Sequence, residues 1–405
     1  MTILEKKHIE NFDPRNLPIG FIDNPYRWYN ALRTHDPVHR CPDGSWFLTR
    51  HEDLCTVYKS PQLYSSDKKT EFGEKYGPSP LLEHHTTSLV FNDPPLHTRV
   101  RRLLMGALSN RAIDGLEPGL IILIDKLLDS LEDSDRPDLV TDYACAIPVE
   151  VIGNLLAIPH GDREPLREWS LNILGALEPV LTQEQERAGN QSVKDFSTYL
   201  EELIHLRTLS PLDPDKDVLT RLIKGEGSDE KLSLIELVHN CIFILNAGHE
   251  TTTNLIANSL YLLTQWPDQK RMLLNEPGII RTAVDEFLRF ESSNQLGNRM
   301  STEASLVGDV RLPARSRITL CIGAANRDPE VFSYPNMLDL KRKPNRHLAF
   351  GTGPHLCAGV SLARLEGRIA IERFLKRFPN YRLNSAPERS ERVRFRGFVS
   401  LPVEL

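Results

Sequence analysis

Between residues 228 and 267 the chain reads SDEKLSLIELVHNCIFILNAGHETTTNLIANSLYLLTQWP, and few folds have room for it. Ser233 and Glu236 stand in the S-x-x-E spacing of a capping box, and Pro267 stops the run, which predicts one helix of about 32 residues over 232–264. At 1.5 Å per residue such a helix is about 48 Å long, enough to cross a whole domain of this size. Its centre is apolar on most faces, so it has to run through the interior. In its middle stand Gly248, Glu250, Thr251, Thr252 and Thr253, all poorer helix formers than the leucines and alanines around them. Weak helix formers in the centre of a buried strut point to a function for that stretch.

The rest of the chain fits a helical fold built round such a strut. Apolar residues recur at helical spacing over 94–109, 115–133, 138–157, 162–177, 193–207, 278–290 and 358–377. Strands are short and few: a hairpin about Pro42-Asp43-Gly44, and extended segments near 305–321 and 392–404. The class is mainly α with small β-sheets, with no repeat or linker to divide it; residues 1–23 read as an N-terminal leader and 24–405 as a single domain. Forty-nine Lys and Arg against 55 Asp and Glu give a net charge of −6, which disfavours nucleic acid as a partner. The N-terminus carries charge at once, and no segment has the apolar length of a membrane span. Six scattered cysteines without a C-x-x-C pair argue against a disulfide scaffold or a zinc ribbon.

One of those cysteines, Cys357, stands just before the strong helix VSLARLEGRIAIERFLKRF, where helix N-terminal amides favour a thiolate. Around it the chain reads RHLAFGTGPHLCAG, with glycines at 351, 353 and 359 that permit tight turns and the close approach of a flat ligand. A lone cysteine there is most often a buried, inert one. The whole string, however, carries F-G-x-G-x-H-x-C-x-G, and so resembles the haem-binding loop of the cytochrome P-450 family. The strut's Ala247-Gly248-His249-Glu250-Thr251-Thr252 resembles the family's signature on the oxygen-binding side of the haem. Glu286-Phe287-Leu288-Arg289 resembles its E-x-x-R motif, and the elements follow in the family's order from about Asn24 to Leu405.

This resemblance implies the cytochrome P-450 fold, a triangular helical prism about a long central helix, holding one haem b. By the same match Cys357 looks like the thiolate ligand of the iron, with Phe350 packed beside the sulfur and His355 a donor to a haem propionate. His97 and Arg101, one helical turn apart after Pro94-Pro95, and Arg299 would complete the hold on the propionates. Arg99 and Arg102 read as solvated, or as contacts for an acidic redox partner. Gly248 would let the strut approach bound dioxygen, the Thr251 hydroxyl would sit beside it, and Glu250 would pass protons inward. Glu286, Arg289 and Arg327 would form a structural triad.

The implied activity is monooxygenation of a small organic substrate by O2, with electrons from a separate ferredoxin and its NAD(P)H-dependent reductase, in a cytoplasmic monomer with no membrane or nucleic-acid partner. A peroxide-driven enzyme and a haem-thiolate sensor are the rivals, and the Glu250-Thr251 pair argues against both. Substrate contacts would fall at Asn246, Ala247, Asn294, Gln295 and Phe398. Asn246 adds polarity near the iron and needs a mate, from the substrate or from protein or water. Residues 63–92 read as a long loop, either a lid or mobile surface, with His84 and His85 on its surface. Arg394 and Arg396 fit a carboxylate anchor and solvated strand ends equally well. Two other motifs fail: His249-Glu250 lacks the second His of H-E-x-x-H, and Gly351-x-Gly353 lacks the third glycine of a dinucleotide fingerprint.

Overall fold

The computed structural model describes residues 9–107, 113, 115–214, 217–225 and 231–405. Within them run helices α1 (Tyr26–His35), α2 (His51–Lys59), α3 (Lys69–Tyr76), α4 (Pro80–Thr87), α5 (Leu96–Ala107), α6 (Glu117–Glu132), α7 (Ala146–Leu155) and α8 (Leu166–Gly175). They continue with α9 (Gln183–Leu209), α10 (Val218–Lys224), α11 (Leu234–Gln265), α12 (Pro267–Asn275), α13 (Ile280–Phe290), α14 (Ile322–Ala325) and α15 (Val360–Arg377). A five-stranded sheet has the order β1-β2-β7-β4-β3, from Val38–Arg40, Trp46–Leu48, Arg317–Cys321, Leu296–Ser301 and Tyr64–Ser65. Only β2 and β7 pair in parallel. Three two-stranded ribbons complete the strands: β5 (Ser305–Val307) with β6 (Val310–Leu312), β8 (Arg382–Leu383) with β11 (Val403–Glu404), and β9 (Glu388–Arg389) with β10 (Phe398–Ser400).

The strut is α11. Its capping box forms as the spacing predicts, Ser233 Oγ accepting from Glu236 N and Glu236 accepting from Ser233 N at 2.9 Å. Two separate cores fasten it. Leu237, Val238, Cys241, Ile242, Ile244 and Leu245 pack with α4, α8 and α9, whereas Leu255, Ile256, Leu260 and Leu263 pack with α6, α13 and α15. Residues 246–254 belong to neither apolar core: the stretch is mostly polar, although most of its side chains are buried. Gly248 is needed there by a neighbouring helix: a Cβ would come within 2.2 Å of Ile152 Cδ1 on α7. Its small size therefore lets two helices touch, a different role from the approach to dioxygen that the motif implied.

Several expectations are corrected. The leader is shorter than 1–23, because Ile9, Phe12 and Phe21 are buried with α1 and β2; residues 1–8 and the 108–109 end of one expected helix lie outside the described residues. The 63–92 segment is two helices and a strand rather than a loop. His84 and His85 are buried, ring against ring, with the His239 ring tilted against the first. The 193–207 helix starts ten residues earlier, where Thr182 and Gln185 make a second capping box, and the 138–157 pattern divides into a π turn and α7. Helices α1, α2, α10 and α12 went unread because each is short, and their amphipathic runs are too brief for periodicity to stand out.

Candidate active site

Cys357 ends the loop before α15 in a conformation its neighbours impose. Its N–H donates to Phe350 O at 2.9 Å, closing the loop on itself, and Gly353 adopts φ +74° with Tyr58 O only 2.5 Å from where a Cβ would stand. Cys357 is open to solvent-sized contact, yet burial pushes its thiol pKa up, against the Gly359 N–H and Arg101. Both hold if the sulfur faces a space inside the protein rather than the outer surface. Desolvation outweighs the helix N-terminus here, the reverse of what position alone suggested. Phe350 lies between His347 and the Arg364 guanidinium.

Four cationic or basic groups gather at this loop. His97 and His355 stack with ring centroids 3.8 Å apart, and Arg101 Nη2 donates to Leu356 O at 2.6 Å, beside the cysteine. Arg299 on β4 is buried, lies over the Tyr58 ring, and bonds only to Asn298 O at 2.7 Å. The group is short of negative charge. Burial, Arg299, His97 and Arg101 together drive the His355 pKa down to about 2, while burial and Arg101 depress His97. Asp93, the carboxylate that acts on His97 and Arg299, is turned to Ser65 Oγ and Ser66 N–H. Among the described residues no carboxylate lies within ion-pair distance of Arg299 or Arg101. Positive groups held together in low dielectric without a counter-charge fit a ligand that brings carboxylates of its own. A flat dianionic macrocycle with an iron for the sulfur meets that description.

On α11, Phe243, Ala247 and Thr251 remain partly or fully accessible although the helix is otherwise buried, and their spacing of four places them on one face. Thr251 Oγ1 donates to Ala247 O at 2.7 Å, which leaves its lone pairs open to that face. Glu250, one residue round, is buried and bound to Arg392 Nη1 at 2.5 Å. Burial raises its pKa to about 7, and Arg392 limits the rise. Arg392 also donates to Leu171 O at 2.9 Å and lines a surface cleft of about 480 Å³ bounded by Arg15, Asn172, Glu178 and Glu391. The cleft brings solvent to the partner of Glu250. Arg392 has no sequence signal: it lies 142 residues from Glu250, in an irregular segment.

The remaining expected site residues divide. Neither side-chain atom of Asn246 has a partner, and both ring nitrogens of buried His249 are in the same state. Asn294 is half-buried and bridges to Phe395. Gln295 belongs elsewhere: it donates to Ser292 O at 2.7 Å, packs on Gly323 and lies beside the Tyr26 hydroxyl. Phe398 is core as well, its ring 4.8 Å from Tyr261. Arg99 is ion-paired to Glu236, so it is not the free surface charge that was expected. In the structural triad Arg289 makes two bonds to Glu286, at 2.7 and 2.8 Å, but the third member is Arg342, 3.1 Å from Glu286 Oε2. Arg327 instead donates to Phe290 O and lies over the rings of Tyr26 and Phe290.

A thiol before a helix, a basic cradle beside it, and a strut opened at an acid and an alcohol form one arrangement, and comparison with known proteins decides its kind. The family model described as Cytochrome P450 matches residues 168–403. The chain belongs to the cytochrome P450 family. Among curated relatives it is similar to the biotin biosynthesis cytochrome P450 of Bacillus subtilis, 34% identical over 390 residues, covering 95% of this chain and 96% of the relative. It is also similar to the vitamin D(3) 25-hydroxylase of Pseudonocardia autotrophica, 35% identical over 393 residues, covering 95% and 94%. Among solved structures, P450BioI in complex with an acyl carrier protein ligated to hexadec-9Z-enoic acid superposes with a TM-score of 0.90 at 33% identity, covering 96% of this chain and 100% of that one. This P450 is a monooxygenase whose cofactor is haem b. No helix among its described residues is long and apolar enough to cross a membrane.

Proposed function

We propose that Cys357 carries the haem iron as its thiolate ligand, that Arg101, Arg299, His97 and His355 hold the propionates, and that Glu250 and Thr251 manage the protons of oxygen activation. The observation that carries this reading is the uncompensated basic cluster touching the Cys357 loop. Haem held by these residues would supply the activation of dioxygen, one oxygen atom going to the substrate and the other to water, with two electrons and two protons from outside. Glu250, with a pKa of about 7, holds and releases a proton near neutral pH, as a relay requires. The cleft that Arg392 lines brings solvent up to this ion pair, and Arg392 holds the carboxylate in place. Thr251, its proton directed to Ala247 O, accepts from a water on the open face and so orients it.

The substrate is a small, partly oxygenated organic molecule, with Asn246 as a polar contact: a buried amide with two unpartnered atoms is costly until something binds it. Electrons come from a separate ferredoxin and its NAD(P)H-dependent reductase, and the enzyme works as a cytoplasmic monomer.

The visible spectrum of the reduced, carbon monoxide-bound protein tests the ligand. A strongly red-shifted Soret band in the wild type that is lost in Cys357→His is expected. An imidazole-type band in the wild type would defeat the assignment. Ferredoxin-driven and peroxide-driven product formation then separate the monooxygenase from a peroxide-using enzyme, and Thr251→Ala should consume NAD(P)H with less product.

A further inference from the structure

Away from the cysteine loop, a second set of cations meets at the junction of α3, the segment after α8, strand β4 and the C-terminal segment 391–396. Arg394 is its centre. The guanidinium donates to Leu296 O at 2.9 Å and to Asn298 Oδ1, which fixes it beside Arg299, while its Nε–H is buried without a partner. Like Cys357, Arg394 stays partly accessible although protein surrounds it, so it too borders internal space. Lys75 donates to Ala176 O at 2.9 Å and Glu178 O at 2.7 Å, and Lys68 is buried against Glu71 at 2.5 Å. Around them stand Tyr76, whose hydroxyl bonds Ala176 O, and buried His85 inside the rings of Phe72, Tyr76 and Phe91.

Arg394 acts on both Lys68 and Lys75, and Glu71, Glu178 and Glu186 oppose these cations, but the carboxylates are engaged elsewhere or stand at a distance. Glu71 is taken by Lys68, and Glu178 accepts from the backbone N–H groups of Val393 and Arg394. Among the described residues neither the Arg394 nor the Lys75 side chain has a carboxylate in contact. Burial, with a smaller push from Arg394, brings Lys75 down to about 8. Among the described residues no carboxylate is within ion-pair distance of Arg394. A stabilising ion pair would have placed one there.

We propose that this P450 acts on substrates bearing a single carboxylate, and that Arg394, backed by Lys75, receives it. The inference rests on the monooxygenase reading of the same pocket and names the substrate class for it. With a neighbouring Nη–H, the unpartnered Nε–H would form a fork matching a carboxylate's two oxygens once the side chains that now bury it give way. His85 and its aromatic ring of neighbours supply a wall for the apolar part. Holding the acid at one end of the pocket fixes which carbon is presented for oxidation. Arg396 is excluded from this role because it is already committed to Glu291 and to the carbonyls of Ile22 and Asp23.

The test uses the haem-loaded enzyme, titrated with small aromatic and medium-chain aliphatic monocarboxylic acids and with their methyl esters, read by the spin-state shift and by calorimetry. The acids should bind about 10-fold or more tightly than their esters, and Arg394→Gln should erase that preference with the carbon monoxide spectrum unchanged. Arg394→Lys, which keeps the charge, should retain part of it and serves if the glutamine variant does not fold. Equal binding of acids and esters, tighter binding of esters or of thioesters of the carrier-linked kind, or a preference that survives Arg394→Gln would overturn the proposal. Loss of the thiolate spectrum in the wild type would instead defeat the haem assignment, and calorimetry would still report on the carboxylate site.

Discussion

Two groups of charged and basic side chains behave in opposite ways. In the first, Glu286 accepts from Arg289, Arg342, Asn345 and the Asp339 N–H, and Arg289 completes its donors on the carbonyls of Asn326, Pro335 and Met337. Every bond is made within the chain. In the second, the Arg101 and Arg299 guanidiniums gather with the His97 and His355 rings beside Cys357, and among the described residues no carboxylate pairs with either arginine. The closed cluster needs nothing further and holds the segment 326–345 against α13. The open one is complete only with a ligand. Satisfaction of the bonds, more than burial or charge, therefore separates scaffold from site in this molecule.

Breaking the closed cluster should have the largest effect. Glu286→Ala leaves two buried guanidiniums unpaired and should cost about 3–5 kcal/mol, read as loss of soluble folded protein with or without haem. Glu366 probes the rule from the other side. It is buried on α15 with Oε2 unpartnered, and burial raises its pKa to about 8. A folded-state pKa above the ordinary 4.5 means that the folded protein keeps a proton the unfolded chain releases. Stability is then full below pH 4.5 and falls as the pH rises to about 8. Glu366→Gln should remove that slope and gain about 3 kcal/mol at the alkaline end, measured by urea melts across pH.

In the open cluster the sign reverses. Arg299→Gln should weaken haem retention about 10-fold, measured by haem transfer to an acceptor globin, while the haem-free chain melts no lower than the wild type. A drop in the melting temperature of the haem-free variant as large as that of Glu286→Ala would erase the distinction between the clusters. The smallest effect concerns Arg392. Removing its charge lets burial lift Glu250 further above about 7, so in Arg392→Gln the pH profile of product formed per NAD(P)H should move to higher pH by about one unit, with Arg392→Lys restoring it. An unmoved profile would detach the cleft from the proton path.

How much of this could be read in the chain depends on distance along it. Local patterns were legible: the capping box of α11, the hairpin at Pro42-Asp43-Gly44, and the string round Cys357 each lie within a few turns. Relations across the chain were not. Arg342 rather than Arg327 pairs with Glu286, Arg392 meets Glu250 from 142 residues away, and Gln295 turns from the pocket into the packing under α1. Arginines in short irregular segments carry no periodic signal, so nothing marks which of them will be drawn inside.

The sequence by itself determined the helical class, the central strut with its weakened middle, and the cysteine loop that identifies a haem-thiolate enzyme, because backbone propensity, capping and side-chain period act over neighbouring residues. Only the tertiary structure decided which charges are paired and which are left open, and with that which residues hold the fold and which wait for cofactor and substrate. Pairing depends on a few ångströms of separation in a low-dielectric interior, and those separations exist only once distant segments have packed.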